Sequence, residues 1–305
     1  MAKTSGIRIH MKSVGNIQKI TNAMQMVAAA RLHRAKNSAL ASVPFSNKIK
    51  EMLHLAVSDR TVIEGLNMEE NPLLEDRPVF KSAYIIVGSD RGLAGSYNTN
   101  VLKHAEIELK NKNCVIIAVG RQIEVGLKHF GYSYIRGFSG FSDNPTFEEA
   151  DSIASYAEKI FTQGEVDEVN LIFTHFKSAL DLEPQTLQLL PVRPFGSKNQ
   201  ELETTTSMTA AHNTPDKDEF NAILYEPKPE EMLKYLVTYY IRSLIYTALI
   251  EGAACELAAR MTAMSSATSN AQDLLEKLSI RYNKERQSGI TNEINEIVGG
   301  AAALE

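Results

Sequence analysis

The chain has 305 residues, of which 44% are apolar, and a formal net charge of -5 at pH 7. This composition excludes a wholly disordered chain, because it supplies enough apolar side chains for a sizeable core, and the modest charge gives no reason to expect nucleic acid or a membrane surface as a partner. The two cysteines, Cys114 and Cys255, lie in different sequence contexts, which favours a reducing, cytoplasmic compartment over a disulfide framework.

Residues 1–58 carry the pattern of one strand of a coiled coil. Apolar and small residues recur every three or four positions from Ile7 to about Ser58, a spacing that places them along one face of a helix. A helix of that length makes a rod of roughly 75 Å, which is longer than the helices of an ordinary globular domain. Pro44 lies inside this pattern and is expected to kink or interrupt the helix.

This first helix is also basic. Its Lys and Arg residues are not offset by any acidic residue before Glu51. A basic helical face is most often a solvated one, but it also fits an acidic protein partner, nucleic acid or anionic lipid. Phe45 is the only aromatic residue in the first fifty positions, so a surface on which bases stack is poorly supported.

The central part of the chain changes to short apolar runs typical of buried strands. Residues 84–87 and 114–119 are such runs, and a helical pattern near 98–110 separates them. Strand, helix and strand in this order predict a βαβ unit with parallel strands. The polar residues 59–77 that precede the unit predict an exposed loop.

Further elements extend this unit into an α/β domain, which we place at residues 77–226. A helix is predicted near 146–162, followed by strands at 169–173 and about 186–192. The polar, Thr-rich segment 197–219 predicts a long exposed loop between the domain and the last helix.

A second long helix is predicted from Glu230 to about Gln287, because this stretch contains no proline and repeats the three-to-four spacing. The residues along its apolar face are small in the middle of the helix, and bulky side chains return near Leu274. A further helical stretch is predicted after Gly289.

The two helices lie at opposite ends of the chain, so we predict that they pair across the inserted domain. The predicted fold class is α/β: a long antiparallel coiled coil of residues 1–58 and 227–305, plus an inserted Rossmann-like α/β domain at 77–226. Small residues along the seam allow close packing but bury little surface per turn. We therefore expect the rod to depend on a surrounding partner for its stability.

The segment Gly88–Gly95, with the sequence GSDRGLAG, is the one place where a phosphate could be held. It follows a predicted strand and precedes a helix, as phosphate-binding loops do. It lacks both the Gly-Lys-Ser/Thr ending of a P-loop and the G-x-G-x-x-G spacing of a dinucleotide fold. A structural turn is therefore favoured over nucleotide binding.

Other catalytic and metal-binding patterns are missing from the sequence. The seven histidines are dispersed, no H-E-x-x-H pattern or cysteine pair occurs, and residues 137–140 lack the spacing of a nucleophile elbow. We therefore expect no catalytic residue, no cofactor and no metal site.

Five segments, in this order, closely resemble the γ subunit of F-type ATP synthases, and the resemblance extends over nearly the whole chain. They are Gln18–Ala29 (QKITNAMQMVAA), Ser89–Gly95 (SDRGLAG), Leu224–Pro229 (LYEPKP), Ala258–Ala267 (AARMTAMSSA) and Tyr282–Ala302 (YNKERQSGITNEINEIVGGAA). In the last segment Gly299 stands where the family commonly has a serine, a small departure.

The resemblance implies a central-stalk rotor subunit that performs no chemistry itself. Its paired helices would turn inside a hexamer of alternating catalytic and non-catalytic subunits, coupling ion-driven rotation of a membrane ring to ATP synthesis or hydrolysis. The implied partners are the two kinds of hexamer subunit, the ε subunit and the membrane rotor ring, with no nucleic acid.

The resemblance also implies four contacts with the catalytic subunits. Met24 and Arg260 match the family residues that lie near an acidic loop of those subunits, and Gln287 and Thr291 match positions that contact the same subunits. From the residues alone, Met24 would be a packing residue of the helix seam and Arg260 a solvated charge.

Two further contacts are implied at the other end of the molecule. Tyr225 and Glu226 match the family positions that touch the membrane ring, although a strand end and turn before Pro227 would equally explain them. The small and apolar residues Val298–Leu304 predict a tip that turns in an apolar sleeve, or alternatively a frayed helix end.

Two other functions stay open at this point. One is a nucleotide-binding α/β enzyme with helical extensions, which the missing motifs disfavour. The other is a nucleic-acid-binding coiled coil that uses the basic helix, which the acidic remainder of the chain and the missing aromatic residues disfavour.

The resemblance implies a peripheral position on the cytoplasmic side of a bacterial inner (plasma) membrane. Chloroplast relatives carry a regulatory insertion with a cysteine pair, and this sequence has none, so thiol switching is not expected and a bacterial origin fits best. No stretch approaches eighteen consecutive apolar residues, so no membrane-spanning helix is predicted.

Overall fold

A computed structural model describes residues 2–58, 72–179, 181–192 and 229–302. In chain order, its helices and strands are α1 (Ala2–Ser58), β1 (Ser82–Val87), α2 (Tyr97–Leu109), β2 (Cys114–Val119), α3 (Arg121–His129), β3 (Arg136–Phe138), α4 (Phe147–Thr162), β4 (Glu168–Phe176), β5 (Leu182–Leu190) and α5 (Pro229–Ala302), with a short 3-10 helix at Pro72–Leu74 before β1.

The predicted α/β fold with long terminal helices is confirmed. The first helix has 57 residues and the last has 74. Both continue where the sequence suggested a break: α1 passes through Pro44, and α5 passes through Gly289 to Ala302. A single glycine costs a helix only about 1 kcal/mol, so it need not end one.

The central sheet has five strands in the order β3-β2-β1-β4-β5. The first four are mutually parallel, as the βαβ pattern predicted, whereas β5 runs antiparallel to β4. The last strand occupies 182–190, four residues earlier than expected at its start. Helix α3 and strand β3 were not predicted from the sequence.

Alternate residues of the central strand serve the two faces of this sheet. Tyr84 and Ile86 of β1 pack with α2 and α3 on one face, while Ala83, Ile85 and Val87 face the other side. That second face is covered by α4 and by parts of both long helices. The residues of the long helices in this core are Ile49, Leu53, Leu233, Leu236, Val237, Tyr240, Ile241, Ile245, Ala248 and Leu249.

The chain divides into two compact units, and both long helices contribute to each. One unit contains residues 1–30 and 260–305, and the other contains residues 31–259, including the whole sheet. The predicted loop at 59–77 lies outside the described residues as far as Asn71, and the predicted loop at 197–219 lies outside them entirely.

In the first unit the two helices pair in antiparallel fashion. The Thr268 hydroxyl donates to the Thr21 hydroxyl at 2.8 Å, and the Gln18 side-chain amide donates to the Gln272 side-chain oxygen at 2.5 Å. Residue numbers therefore increase along one helix while they decrease along the other, as in an antiparallel pair. One apolar cluster of this unit consists of Val14, Ala271 and Leu278, which are buried, with Ile7, Met11 and Leu275 packed against them. Ala28 and Met264 of the same unit are also buried.

Candidate functional site

The first unit has a surface of exposed apolar side chains. On α1, Ile9 is 68% exposed and Met26 is 64% exposed, and on α5, Ile297 is 72% exposed. Further large apolar side chains of this unit are at least 40% exposed: Ile17, Ile20, Val27, Leu274, Ile280, Ile290 and Ile294. Such a density of exposed apolar side chains on a narrow two-helix rod is typical of a surface that another protein covers.

Four of the predicted contact residues lie in this first unit. Met24 is half-buried, Arg260 is only 8% exposed, and Gln287 and Thr291 are exposed on α5 one helical turn apart. The Thr291 hydroxyl donates to the Gln287 carbonyl oxygen at 3.0 Å. The burial of Arg260 differs from the solvated charge that its residue type alone suggests.

The other predicted contacts lie at the edge of the described chain or beyond it. Tyr225 and Glu226 lie outside the described residues, and so does the predicted tip beyond Ala302. Basic side chains on the rod include Arg8, Lys12 and Lys19, which are exposed along α1.

In the second unit, the GSDRGLAG segment is organised around the carboxylate of Asp90. One of its oxygens accepts a hydrogen bond from the Arg121 amide at 3.1 Å, and the other accepts from the amides of Gly140 and Ser142 at 2.8 and 3.0 Å. Burial acts to raise the pKa of Asp90, but the hydrogen bonds from Ser142, Arg121 and Gly140 outweigh it, so the pKa is lowered.

The segment resembles a phosphate loop in sequence, but its polar groups form contacts within the fold. Two backbone amides of the segment are already bonded within the fold, since Ser89 donates to the side-chain oxygen of Asn98 at 3.0 Å and Asp90 donates to the Ser142 hydroxyl at 3.1 Å. Packing requires the first glycine, because a Cβ at Gly88 would lie 2.3 Å from the Ile123 side chain. Gly120 has a φ of +100°, and a Cβ there would lie 2.7 Å from the Gly88 carbonyl oxygen. The segment is therefore a structural joint between β1 and the loop before α4.

That loop connects the sheet to the first helix. Asp143, which follows the residues bound by Asp90, pairs with Arg31 of α1 at 2.9 Å and with Arg91 at 3.1 Å. The sheet thus holds α1 through one continuous series of polar contacts.

A groove of about 620 Å³ lies beside this loop, between α1 and α5. Arg31 and Arg34 line one wall and Phe147 and Tyr246 another. Its Arg31 is already paired with Asp143, and the amino end of α4 is capped by its own Thr146 and Glu149. Two features of the groove that could attract an anion, the Arg31 guanidinium and the amino end of α4, are therefore already engaged within the protein.

The last helix is held to the sheet by a buried pair of ionisable side chains. His175 of β4 and Glu251 of α5 are 2.8 Å apart, and their side chains are only 7% and 9% exposed. The hydrogen bond with Glu251 raises the pKa of His175, although burial opposes this. Next to the pair, the Cys255 thiol donates to the Thr174 carbonyl oxygen at 3.4 Å.

Among the residues that the structure describes, no three side chains of the metal-binding types form a cluster. Within the same part of the chain, no helix is both long enough and apolar enough to cross a bilayer.

Comparison with known proteins identifies the family. A family model described as ATP synthase matches residues 3–304. The ATP synthase gamma chain of Desulfitobacterium hafniense is 36% identical to this chain over 308 residues, which cover 100% of both chains. The chain belongs to the ATP synthase γ-chain family. As a γ chain, it is a non-catalytic central-stalk subunit of the membrane-bound F-type ATP synthase.

Solved structures agree with this assignment. In the central stalk and c-ring of the Tetrahymena thermophila mitochondrial ATP synthase, a chain is 25% identical with a TM-score of 0.57, covering 81% of this γ chain and 99% of that one. A chain of the Euglena gracilis mitochondrial ATP synthase shares the fold at 18% identity and a TM-score of 0.64, covering 99% and 95% of the two chains.

Replacing Asp90 with Asn tests whether its carboxylate organises the joint. The substitution keeps the shape but places an amide group against backbone donors, so we expect the γ chain to lose about 1–3 kcal/mol of stability. The lowered pKa adds a pH dependence: stability from Asp90 is present at neutral pH and is lost as the pH falls through its folded-state pKa. Denaturant unfolding measures both effects.

Asp273→Asn, at an exposed position of α5, is the control. Equal stability of the Asp90→Asn and Asp273→Asn variants would contradict the role of Asp90.

The His175–Glu251 pair predicts a pH dependence of the opposite sign. Because the folded-state pKa of His175 is raised, its contribution to stability is fully present below the ordinary histidine pKa of about 6.5 and is lost as the pH rises through the folded value. We expect His175→Gln to remove this part of the pH dependence, whereas His129→Gln, at an exposed position, leaves it intact. Unfolding curves on both sides of that pH measure it, and parallel pH profiles for the wild type and His175→Gln would show that the pair does not act this way.

Proposed function

We propose that this γ chain is the rotor shaft that couples ion-driven rotation of a membrane ring to conformational changes at the catalytic subunits. The shaft comprises residues 1–58 and 227–305, and the α/β domain at 77–226 faces the ring. The observation that carries the proposal is the apolar surface of the first unit, where large side chains such as Ile9, Met26 and Ile297 are mostly exposed.

An exposed apolar rod fits a shaft that turns within a protein sleeve. Contacts between apolar side chains are non-directional, so they favour enclosure without selecting a single angle. Basic residues on the same rod, such as Lys12 and Lys19, are exposed. Exposed ion pairs contribute only about 0–1 kcal/mol each, so an acidic partner surface can attract the shaft without fixing it in one orientation.

Coupling requires that each shaft angle bind one set of subunit conformations better than another. A ligand shifts a conformational equilibrium only by its differential affinity for the two states, and here the shaft acts as that ligand. The antiparallel pair presents different side chains on its different sides, and this asymmetry supplies the difference in affinity.

We assign Met24, Arg260, Gln287 and Thr291 to contacts with the catalytic subunits. Exposure of Gln287 and Thr291 supports direct contact. Since Arg260 is largely buried, we assign it the role of shaping the rod surface near the acidic loop as well as attracting that loop.

The remaining assignments concern the membrane end and the setting. We propose that Tyr225 and Glu226 touch the membrane ring, and that the partners are the two hexamer subunits, the ε subunit and the ring. The D. hafniense relative supports a bacterial origin. We therefore propose a peripheral position on the cytoplasmic side of a bacterial inner membrane.

A charge placed on the apolar rod tests the proposal. Ile20 on α1 is 59% exposed and Ile107 on α2 of the α/β domain is 73% exposed, so Ile20→Glu and Ile107→Glu make the same change on an exposed helix surface. Enclosing an unpaired carboxylate costs about 3–5 kcal/mol. We therefore expect Ile20→Glu to lower ATP hydrolysis by the assembled complex about tenfold or more, with helix content of the free chain unchanged.

The control decides how the result is interpreted. Ile107→Glu is expected to leave ATP hydrolysis at the wild-type rate. If the Ile20→Glu complex hydrolysed ATP at the same rate as the wild-type complex, enclosure of the rod would be contradicted. Micromolar nucleotide binding by the isolated chain would favour the enzyme alternative instead.

A further inference from the structure

A cluster of polar contacts between the last helix and the α/β domain centres on Arg242 of α5. Its guanidinium binds the carboxylate of Asp151 through Nε and that of Glu158 through Nη1, the latter at 2.8 Å. The same group donates to the Ser155 hydroxyl at 3.4 Å and to the Thr238 carbonyl oxygen at 3.1 Å. The Arg242 and Glu158 side chains are only 15% and 17% exposed, whereas the Asp151 side chain is 48% exposed, so the cluster is buried on the Glu158 side and open to solvent on the Asp151 side.

The three partners on α4 fix the position of Arg242 in two directions. Asp151, Ser155 and Glu158 are four and three residues apart, so they lie on one face of α4 across two helical turns. A guanidinium that spans both turns resists sliding of α5 along α4. It also resists rotation of α5, because a shift of one residue turns a helix by about 100° and would carry Arg242 away from both carboxylates.

The contacts around this cluster are of a different kind. Near Arg242, α5 packs against the domain through Val237, Ile241 and Ile245, which are at most 2% exposed. Apolar packing opposes separation of the helix from the domain but has little preference for direction. Charged hydrogen bonds with a planar guanidinium depend strongly on orientation.

A second polar contact lies farther along the same helix. Glu251, which is bound to His175 of β4, follows Arg242 by nine residues. At about 3.6 residues per turn, this separation is two and a half turns, so the two side chains leave α5 on opposite sides. Directional polar contacts on opposite sides of a helix resist its rotation better than two on one side.

We propose that Arg242 is a torque-bearing positioning residue that fixes the angle between the α/β domain and the helix α5 of the shaft. The inference rests on the proposed function as a rotor. When torque acts on the domain, the shaft turns through the same angle only if the joint between them does not yield under load. Arg242, with Asp151 and Glu158, supplies that stiffness, and Glu251 with His175 supports it.

Removal of the guanidinium in the assembled complex tests the proposal. Arg242→Met alone leaves two unpaired carboxylates, so the double variant Arg242→Met with Glu158→Gln is tested beside it to preserve folding. In membrane vesicles we expect both variants to hydrolyse ATP at the wild-type rate without a gradient. Against an opposing ion gradient, they are expected to move fewer ions per ATP hydrolysed, with a loss that grows as the gradient grows.

The controls separate this role from a structural one and from failure of the rotor assignment. Lys48→Met removes the exposed Lys48–Glu51 pair on α1 and is expected to pump as the wild type does, and passive ion leak is measured without ATP. Wild-type pumping per ATP by both Arg242 variants at every gradient, whether or not they melt earlier, would overturn the proposal. If the wild-type complex itself failed to pump, the proposed function would fall rather than the role of Arg242.

Discussion

Two helices that pair along a narrow seam cannot cover all of their own large apolar side chains. In the first unit the seam includes Val14, Ala271, Leu278 and a contact between Thr21 and Thr268, while large side chains such as Ile9, Met26 and Ile297 lie outside it. The narrow seam keeps the rod slender, and the uncovered surface requires an enclosing partner. Both properties are what a shaft inside a ring of subunits needs, and the assignment to the γ-chain family agrees with them.

The second unit meets a different requirement, since torque must pass between a domain and the helices packed on it. Apolar packing of residues such as Ile49 and Ile241 holds the helices to the sheet. Polar contacts then define where they sit: Arg31 with Asp143 on the first helix, and Arg242 and Glu251 on the last. The GSDRGLAG segment belongs to this system, because Asp90 fixes the loop that carries Asp143.

The sequence predicted the parts of the fold that depend on local periodicity. Long three-to-four repeats revealed both terminal helices, and continuous apolar runs revealed β1, β2 and β4. The strand β3 was missed because it has only three residues, and the beginning of β5 was missed because it contains Pro184, which a sheet tolerates on an edge strand. The contact of Asp90 with Ser142 and that of Arg242 with Asp151 join residues 52 and 91 positions apart, which no spacing rule in a single sequence can find. The contact roles of Met24, Arg260, Gln287, Thr291, Tyr225 and Glu226 came from family resemblance and stay predictions.

Direct observation of rotation is the measurement that tests the central claim. The complex would be fixed to a surface through its catalytic subunits, and a bead attached to a cysteine introduced at the exposed position of Lys103 on α2, with Cys114 replaced by Ala. The account predicts that ATP drives sustained rotation of the bead in one direction. A stationary bead on complexes that continue to hydrolyse ATP would contradict it.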